Sequence, residues 1–141
     1  MDELCVTASV ENLDRVISFL DERLEQAECP MKIQMQMDVA AEEIFVNIAY
    51  YAYPDGVGDV WVRLLIKKDE GEIELEFADS GVPFNPLDKA DPEVEKKVSD
   101  DSIGGLGIYM VKKSMDEVSY RYENQKNIFC MKKKYRTVGC D

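Results

Sequence analysis

A carboxylate and a carboxamide lie four residues apart in the segment EEIFVNIAYYAY, at Glu43 and Asn47. Residues with this spacing share one face of a helix, so the two side chains would stand side by side. There the carboxylate can polarise a hydroxyl group, and the carboxamide oxygen can bind a hard cation such as Mg²⁺. The pair could instead form a solvated helix edge. Glu42 is the weaker candidate because it lacks the four-residue spacing to Asn47.

Asp79 ends a segment in which every second residue is apolar. In EIELEFADSGVPFNP, Ile73, Leu75 and Phe77 alternate with glutamates, which is typical of a strand with one buried face. The alternation places Asp79 on that buried face, where a carboxylate needs a partner. Gly81 follows, and its backbone can approach a flat ligand closely. Asp79 could therefore accept a hydrogen bond from an exocyclic amine such as that of adenine, or it could cap the amides of its own turn.

A third feature is the glycine-rich segment SIGGLGIYMVKK, in which Gly104, Gly105 and Gly107 come before a predicted helix. Free N–H groups at a helix N-terminus, next to backbone without side chains, form an anion site that suits phosphates. The segment is neither a P-loop nor a dinucleotide fingerprint, because the GxxxxGK[ST] pattern is missing and no strand leads straight into the glycines. The other interpretation is an ordinary flexible hinge.

Hydrophobic periodicity predicts the helices and strands that would position these residues. The predicted helices cover 11–27 and 31–51 and follow the glycines at 104–107, and the predicted strands cover 4–8, 60–66, 73–77, 116–122 and 128–135. The last two strands would form a hairpin with its turn at 123–127. Residues 85–103 contain two prolines and many charges, which favours a long loop, and loops of that length are usually functional or disordered.

Composition restricts the possible functions further. The chain has 141 residues, of which 45% are apolar and 33% are charged, and this predicts a single domain with its own core. Its 17 basic and 29 acidic side chains give a formal charge of −12, which argues against direct nucleic-acid binding. Histidine is absent, so Ser-His and Cys-His nucleophiles and imidazole metal ligands are excluded.

The four cysteines show no CxxC spacing, and we interpret them as reduced thiols. The sequence has neither a leader-like start nor an apolar stretch long enough to span a membrane. We therefore expect a cytoplasmic protein that does not insert into membranes.

In their order along the chain, these features resemble the GHKL family of ATP-binding domains. The resemblance lies in an N box (Glu43 to Asn47), a first glycine box (Asp79-Ser80-Gly81) and a second glycine box (Gly105-Leu106-Gly107). It covers about residues 5–135 and is greatest to the small anti-sigma-factor serine/threonine kinases of bacteria. It implies a single domain over 1–141 with an α+β fold of the Bergerat type. This fold is a two-layer α/β sandwich in which about three helices cover one face of a mostly antiparallel, mixed β-sheet.

The resemblance also implies roles for individual residues. Asp79 would accept the adenine amino group of ATP, Asn47 would hold Mg²⁺, and Glu43 would be the base that aligns a substrate serine. Residues 85–103 would form the ATP lid, and Lys96 or Lys97 would reach the phosphoryl group. The residues implied to bind ATP are Asn47, Asp79, Gly81, Phe84, Gly104, Gly105, Leu106 and Gly107.

Two departures from the family pattern affect the functional prediction. Tyr51 stands where many of these kinases have histidine, and Lys126-Asn127 replaces a Gly-Thr pair near the adenine. The first departure would alter contacts with the phosphates or the lid, and the second would alter how Asp79 and its water are held. The resemblance implies a homodimeric serine/threonine kinase that phosphorylates an anti-sigma-antagonist-like protein and binds a sigma factor or similar target. The alternative is a nucleotide-gated protein-binding module without phosphotransfer, which Tyr51 favours. The catalytic half of a sensor histidine kinase is disfavoured because the chain has no phosphoacceptor histidine.

Overall fold

The structure, a computed structural model, describes residues 1–88 and 103–136, with the side chains of 103–106 left out. The described helices are α1 (Leu13–Gln26), α2 (Met31–Tyr51) and α3 (Ile103–Ser114). The described strands are β1 (Asp2–Thr7), β2 (Asp59–Lys67), β3 (Glu72–Asp79), β4 (Glu117–Glu123) and β5 (Lys126–Lys134). Short 3-10 turns cover Val10–Asn12 and Pro86–Asp88.

The five strands form one sheet in the order β1-β2-β3-β5-β4, and each neighbouring pair is antiparallel. The predicted α+β sandwich is thereby confirmed, with only antiparallel pairings between the described strands. Strand β3 lies at the centre of the sheet. Its last residue, Asp79, pairs with Asn127 at the start of β5.

The helices cover one face of the sheet, and a single core lies between the two layers. The alternation in β2 and β3 directs one set of side chains into this core, as predicted. The fully buried core residues include Val16, Leu24, Met37, Ala41, Phe45, Val60, Val62, Ile73, Leu75 and Met131. On the opposite face, the glutamates of β3 form ion pairs with basic residues of β2, for example Glu74 with Lys67 at 3.3 Å. This pattern leaves that face polar.

Helix α2 has the predicted bounds, whereas α3 begins earlier than expected. The sequence predicts a helix that follows the glycines at 104–107, but α3 begins at Ile103 and contains all three glycines. Each glycine costs the helix about 1 kcal/mol relative to alanine. Burial of Ile108 and Val111, which are 7% and 2% exposed, opposes this cost. Tertiary packing therefore overrides local propensity here.

The predicted loop 85–103 is corrected at both ends. Pro86–Asp88 forms a 3-10 turn and Ile103 already belongs to α3. Residues 89–102, with Lys96 and Lys97, lie outside the described residues. The ATP lid over this segment stays a prediction.

The closing hairpin turns more tightly than expected. A turn over 123–127 was predicted, but β5 begins at Lys126. The turn consists of Asn124 and Gln125, whose φ angles of 55° and 63° are left-handed and match the twist of a two-residue hairpin. The correction places Asn127 inside the sheet rather than in the turn.

No helix among the described residues is long and apolar enough to cross a membrane. The thiols of Cys5, Cys29 and Cys130 are free, while Cys140 lies outside the described residues. Burial raises the pKa of the Cys130 thiol to about 11, so this side chain is a neutral part of the sheet.

Candidate functional site

Glu43 and Asn47 stand side by side on α2, as their spacing predicts. The Asn47 Nδ2 donates a hydrogen bond of 2.9 Å to Glu43 Oε2. This bond fixes the orientation of the carboxamide and leaves its Oδ1 without a donor among the described residues. Burial raises the pKa of Glu43, and the hydrogen bond from Asn47 partly opposes that rise. Glu42 is exposed to solvent, which agrees with its rank as the weaker candidate.

Gly107 of α3 packs directly against the Glu43 carboxyl group. A Cβ atom at position 107 would overlap the carboxyl carbon and both carboxylate oxygens of Glu43. Only glycine leaves room for the acid in this position. The packing of α3 on α2 thus brings the second glycine box to the N box, although 60 or so residues separate them along the chain.

Asp79 is buried at the end of β3, with 4% of its surface exposed. Its Oδ1 accepts hydrogen bonds from the Gly81 amide at 2.8 Å and from Asn127 Nδ2 at 2.9 Å. The described residues donate no hydrogen bond to Oδ2 and form no ion pair with the carboxylate. Burial raises the pKa of Asp79, while the bonds from Asn127 and Gly81 oppose the rise. Oδ2 is therefore the acceptor that remains for a ligand.

The turn after Asp79 is attached to the C-terminal end of α2. The Val82 amide donates a hydrogen bond of 2.9 Å to the Ala52 carbonyl oxygen. A Cβ atom at Gly81 would lie 2.6 Å from the Ala52 carbonyl carbon, so glycine permits this close approach. Helix α2 thus brings the three motifs together. It contains the N box, its Glu43 contacts Gly107 of α3, and Ala52 at its C-terminal end contacts the turn after β3.

The other predicted site residues lie around these contacts. Gly104, Gly105 and Leu106 belong to the first turns of α3, where backbone N–H groups lack partners within the helix. Phe84 follows the Asp79 turn and is 51% exposed. Tyr51, at the end of α2, is 65% exposed. The structure tests none of their predicted roles in binding.

Sequence reasoning missed one residue of the site, Tyr53. The Tyr53 hydroxyl donates to the Asp59 carbonyl oxygen at 2.7 Å and accepts from the Ser80 amide at 2.7 Å, which holds the Asp79 turn against β2. The replacement of a Gly-Thr pair by Lys126-Asn127 was expected to affect how Asp79 is held, and the structure gives a direct hydrogen bond from Asn127 to Asp79. The pairing of β3 with β5 creates that contact, and no local pattern in the sequence predicts it.

Known proteins that resemble this chain in sequence include serine-protein kinases. The serine-protein kinase RsbW of Bacillus mycoides (strain KBAB4) is 28% identical over 100 residues, which cover 68% of this chain and 61% of that protein. The serine/threonine-protein kinase BtrW of Bordetella bronchiseptica is 23% identical over 90 residues, or 64% of this chain and 63% of that protein. The match thus extends over about three-fifths of each relative's length.

The fold also has a counterpart among solved structures. The histidine kinase AdeS of Acinetobacter baumannii matches with a TM-score of 0.52 at 12% sequence identity, covering 97% of this chain and 70% of that chain. At this identity the likeness concerns the fold alone. The sequence profile described as "Histidine kinase-like ATPase domain" matches residues 6–133, which is most of the chain. The chain belongs to the histidine kinase-like (GHKL) ATPase domain family.

Proposed function

We propose that this chain is an ATP-dependent serine/threonine protein kinase that phosphorylates a small anti-sigma-antagonist-like protein in a partner-switching system. The observation that carries the proposal is that α2 contains one of the three motifs and contacts the other two. Glu43 and Asn47 are hydrogen-bonded there, Gly107 packs on the Glu43 carboxyl group, and the turn after Asp79 packs on Ala52. Similarity to proteins named as serine-protein kinases supports the same activity.

The base of ATP would bind beside Asp79. Its Oδ1 is already saturated by internal donors, so Oδ2 would accept the hydrogen bond from the adenine amino group. A buried carboxylate oxygen discriminates between a ligand donor and a ligand acceptor, because facing lone pairs repel each other. The site would therefore prefer a 6-amino purine over a 6-oxo purine.

The donor set fits Mg²⁺ bound together with the nucleotide. Among the described residues no group of three or more His, Cys, Asp or Glu side chains is placed to hold a metal ion. Mg²⁺ in nucleotide sites keeps several waters and takes phosphate oxygens, so one protein oxygen is enough. Asn47 Oδ1 is the oxygen that the hydrogen bond to Glu43 leaves available. The bound ion would neutralise charge on the phosphates.

Glu43 would align and deprotonate the hydroxyl group of the substrate serine. The serine oxygen forms a bond to the γ-phosphorus while the bond from that phosphorus to the β–γ bridging oxygen breaks, and ADP leaves. The hydroxyl proton passes to the Glu43 carboxylate. Gly107 packs closely on this carboxylate, and Asn47 donates a hydrogen bond to it. The backbone N–H groups at the start of α3 would receive the phosphates.

Binding of a sigma factor or similar target, assembly as a homodimer and a cytoplasmic location belong to the same proposal. The second candidate is a nucleotide-gated binding module in which ATP and ADP select partners and no phosphoryl group moves. The exposed Tyr51 favours this candidate, because it stands where many of the related kinases have histidine.

Two measurements test the proposal. Calorimetric titration with Mg-ATP should show binding by the wild type and a loss of at least tenfold in affinity for Asp79→Asn. Label transfer from γ-labelled ATP to an antagonist protein of the same genome should then be lost in Glu43→Gln. Glu42→Gln is the matched control, because this adjacent acid is exposed and should leave transfer unchanged. Absence of binding by the wild type would refute the ATP site, and binding without transfer would favour the second candidate.

A further inference from the structure

We propose that Asn127 is a positioning residue that holds the Asp79 carboxylate with Oδ1 turned inward and Oδ2 presented to the base of the nucleotide. The inference rests on the proposed function, since it concerns the same nucleotide site. It assigns a specific role to Asn127, which together with Lys126 stands in place of a Gly-Thr pair of the family pattern.

Asn127 uses its complete hydrogen-bonding capacity inside the protein. Its Nδ2 donates to Asp79 Oδ1 at 2.9 Å and to the Val82 carbonyl oxygen at 2.9 Å. Its Oδ1 accepts from the Phe84 amide at 3.0 Å and from the Tyr120 hydroxyl. A carboxamide offers two donors and one oxygen with two lone pairs, so all four positions are occupied.

These partners determine which way the carboxamide faces. The side chain is 7% exposed, so solvent cannot replace a lost partner easily. A carboxamide turned by half a rotation would set its oxygen against Asp79 Oδ1 and the Val82 carbonyl, which are both acceptors. It would also set its NH₂ group against the Phe84 amide, which is a donor. The observed orientation is therefore the only one that satisfies the surrounding groups.

The same carboxamide joins three separate parts of the site. Asp79 ends β3, Val82 and Phe84 belong to the turn that follows, and Tyr120 lies on β4. With Gly81 as its second donor, Oδ1 of Asp79 is saturated, and rotation of the carboxylate would break both bonds. Oδ2 is consequently held as an acceptor before any ligand arrives, which lowers the cost of ordering the site on binding.

Asn127→Asp gives a test with a pH signature. The new carboxylate would face Asp79 at hydrogen-bond distance, and two like charges there disfavour double ionisation, so the pair would share a proton at low pH. The nearby titratable groups are the phenols of Tyr53 and Tyr120, and burial raises the pKa of each above its ordinary value. Both phenols therefore stay neutral between about pH 5.5 and about pH 8.

Mg-ATP affinity is measured by calorimetry for the wild type, Asn127→Asp and Asn127→Ala at these two pH values. At the higher pH, Asn127→Asp should bind Mg-ATP about tenfold or more weakly than the wild type. At the lower pH it should recover most of this affinity, because the shared proton restores a hydrogen-bond donor. Asn127→Ala introduces no charge, so it should bind about tenfold more weakly at both pH values. In phosphotransfer assays, KM for ATP should rise while kcat changes little.

The outcomes separate the inference from the proposed function. Two results would overturn the inference alone, provided that the wild type binds Mg-ATP. One is an Asn127→Ala affinity equal to that of the wild type, and the other is a loss of affinity in Asn127→Asp that is equal at both pH values. Absence of binding by the wild type would remove the nucleotide site and the inference together. If Asn127→Asp unfolds at the higher pH, the ratio of the Mg-ATP affinity of Asn127→Ala to that of the wild type decides whether the inference holds. A purely structural role would lower the unfolding temperature of both variants without the pH-dependent recovery of affinity.

Discussion

At the scale of single residues, the effect of adding one methyl group to a glycine depends on what that group would meet. At Gly81 a methyl group would overlap the backbone of Ala52, which cannot move without shifting the end of α2. We expect Gly81→Ala to reduce the free energy of unfolding by about 1–3 kcal/mol, as overpacking does. Urea unfolding followed by circular dichroism measures it. Gly56→Ala is the control, because a Cβ there meets nothing within 4 Å. Equal stability of the two variants would contradict the prediction.

Gly107→Ala should separate stability from activity. Here the added methyl group would overlap the end of the Glu43 side chain, which can rotate away, rather than rigid backbone. Because alanine favours the helix by about 1 kcal/mol over glycine, the free energy of unfolding should stay level or rise. Phosphotransfer should fall by about 10- to 100-fold, since the base is displaced from its aligned position.

Thermal unfolding and label transfer, measured on the same preparation of Gly107→Ala, test this separation. Mg-ATP binding should change much less than turnover, because Asp79 lies at the other contact of α2. Full activity in a folded Gly107→Ala would show that the position of Glu43 does not matter for the reaction.

At the scale of elements, the contact between α1 and α2 contains an acidic pair. Asp21 on α1 and Asp38 on α2 each have a buried Oδ1 without a hydrogen-bond donor among the described residues. Burial, a hydrogen bond with Asp21 and the charges of Asp21 and Glu25 raise the pKa of Asp38 to about 8. The nearby Cys29 thiol has a pKa raised mainly by burial and also by Asp38. The Asp38 carboxyl group therefore keeps its proton at neutral pH in the folded chain.

This pair makes stability depend on pH. Asp38 keeps its proton up to about pH 8 in the folded chain, whereas in the unfolded chain it loses the proton above about pH 4. The folded state thus binds more protons between these values, so stability falls as pH rises through them. Asp38→Asn should exceed the wild type by about 1–2 kcal/mol at pH 8, a figure reduced for the partial exposure of the group, and by little near pH 4.

Urea unfolding of wild type and Asp38→Asn at intervals from about pH 4 to about pH 8.5 measures this difference. Asp14→Asn is the control, because Asp14 is an exposed acid on α1, the helix that contains Asp21. Its curve should follow that of the wild type. Parallel curves for the wild type and Asp38→Asn would show that Asp38 is not protonated in the folded chain.

The elements also show what the sequence could and could not predict. Helix α2 was predictable with both ends, because its apolar stripe is long and proline lies just outside each end. The buried position of Asp79 followed from the period of two in β3. The predicted start of α3 was wrong, because the packing of α3 on α2 outweighs the low helix propensity of its glycines. The resemblance linked Asn127 to Asp79, but their direct hydrogen bond could not be predicted, because it spans 48 residues and depends on the register of β3 with β5.

At the scale of the whole molecule, two electrostatic effects act on stability in opposite directions: attraction within ion pairs and repulsion from the net charge. The polar face of the sheet contains ion pairs between neighbouring strands, such as Arg63–Glu76 at 3.2 Å and Lys67–Glu74 at 3.3 Å. The chain as a whole has a formal charge of −12. Partly exposed ion pairs contribute about 0–1 kcal/mol each, because solvent screens them. Repulsion among the excess carboxylates acts over longer distances and opposes the compact state.

Attraction within the ion pairs and repulsion among the excess carboxylates predict opposite responses of the unfolding temperature to salt. The distances over which the two interactions act decide which response is expected. Raising NaCl from about 0.01 M to about 0.1 M shortens the screening length from about 30 Å to about 10 Å. Repulsion across the molecule is then largely removed, while pairs at 3–4 Å, such as those of the sheet face, keep most of their attraction. We therefore expect the unfolding temperature of the nucleotide-free chain to rise by several degrees over this range. Thermal unfolding followed by circular dichroism measures it, and KCl should give the same curve if no specific ion is bound. An unfolding temperature that falls with salt would show instead that the ion pairs of the sheet face outweigh the net charge.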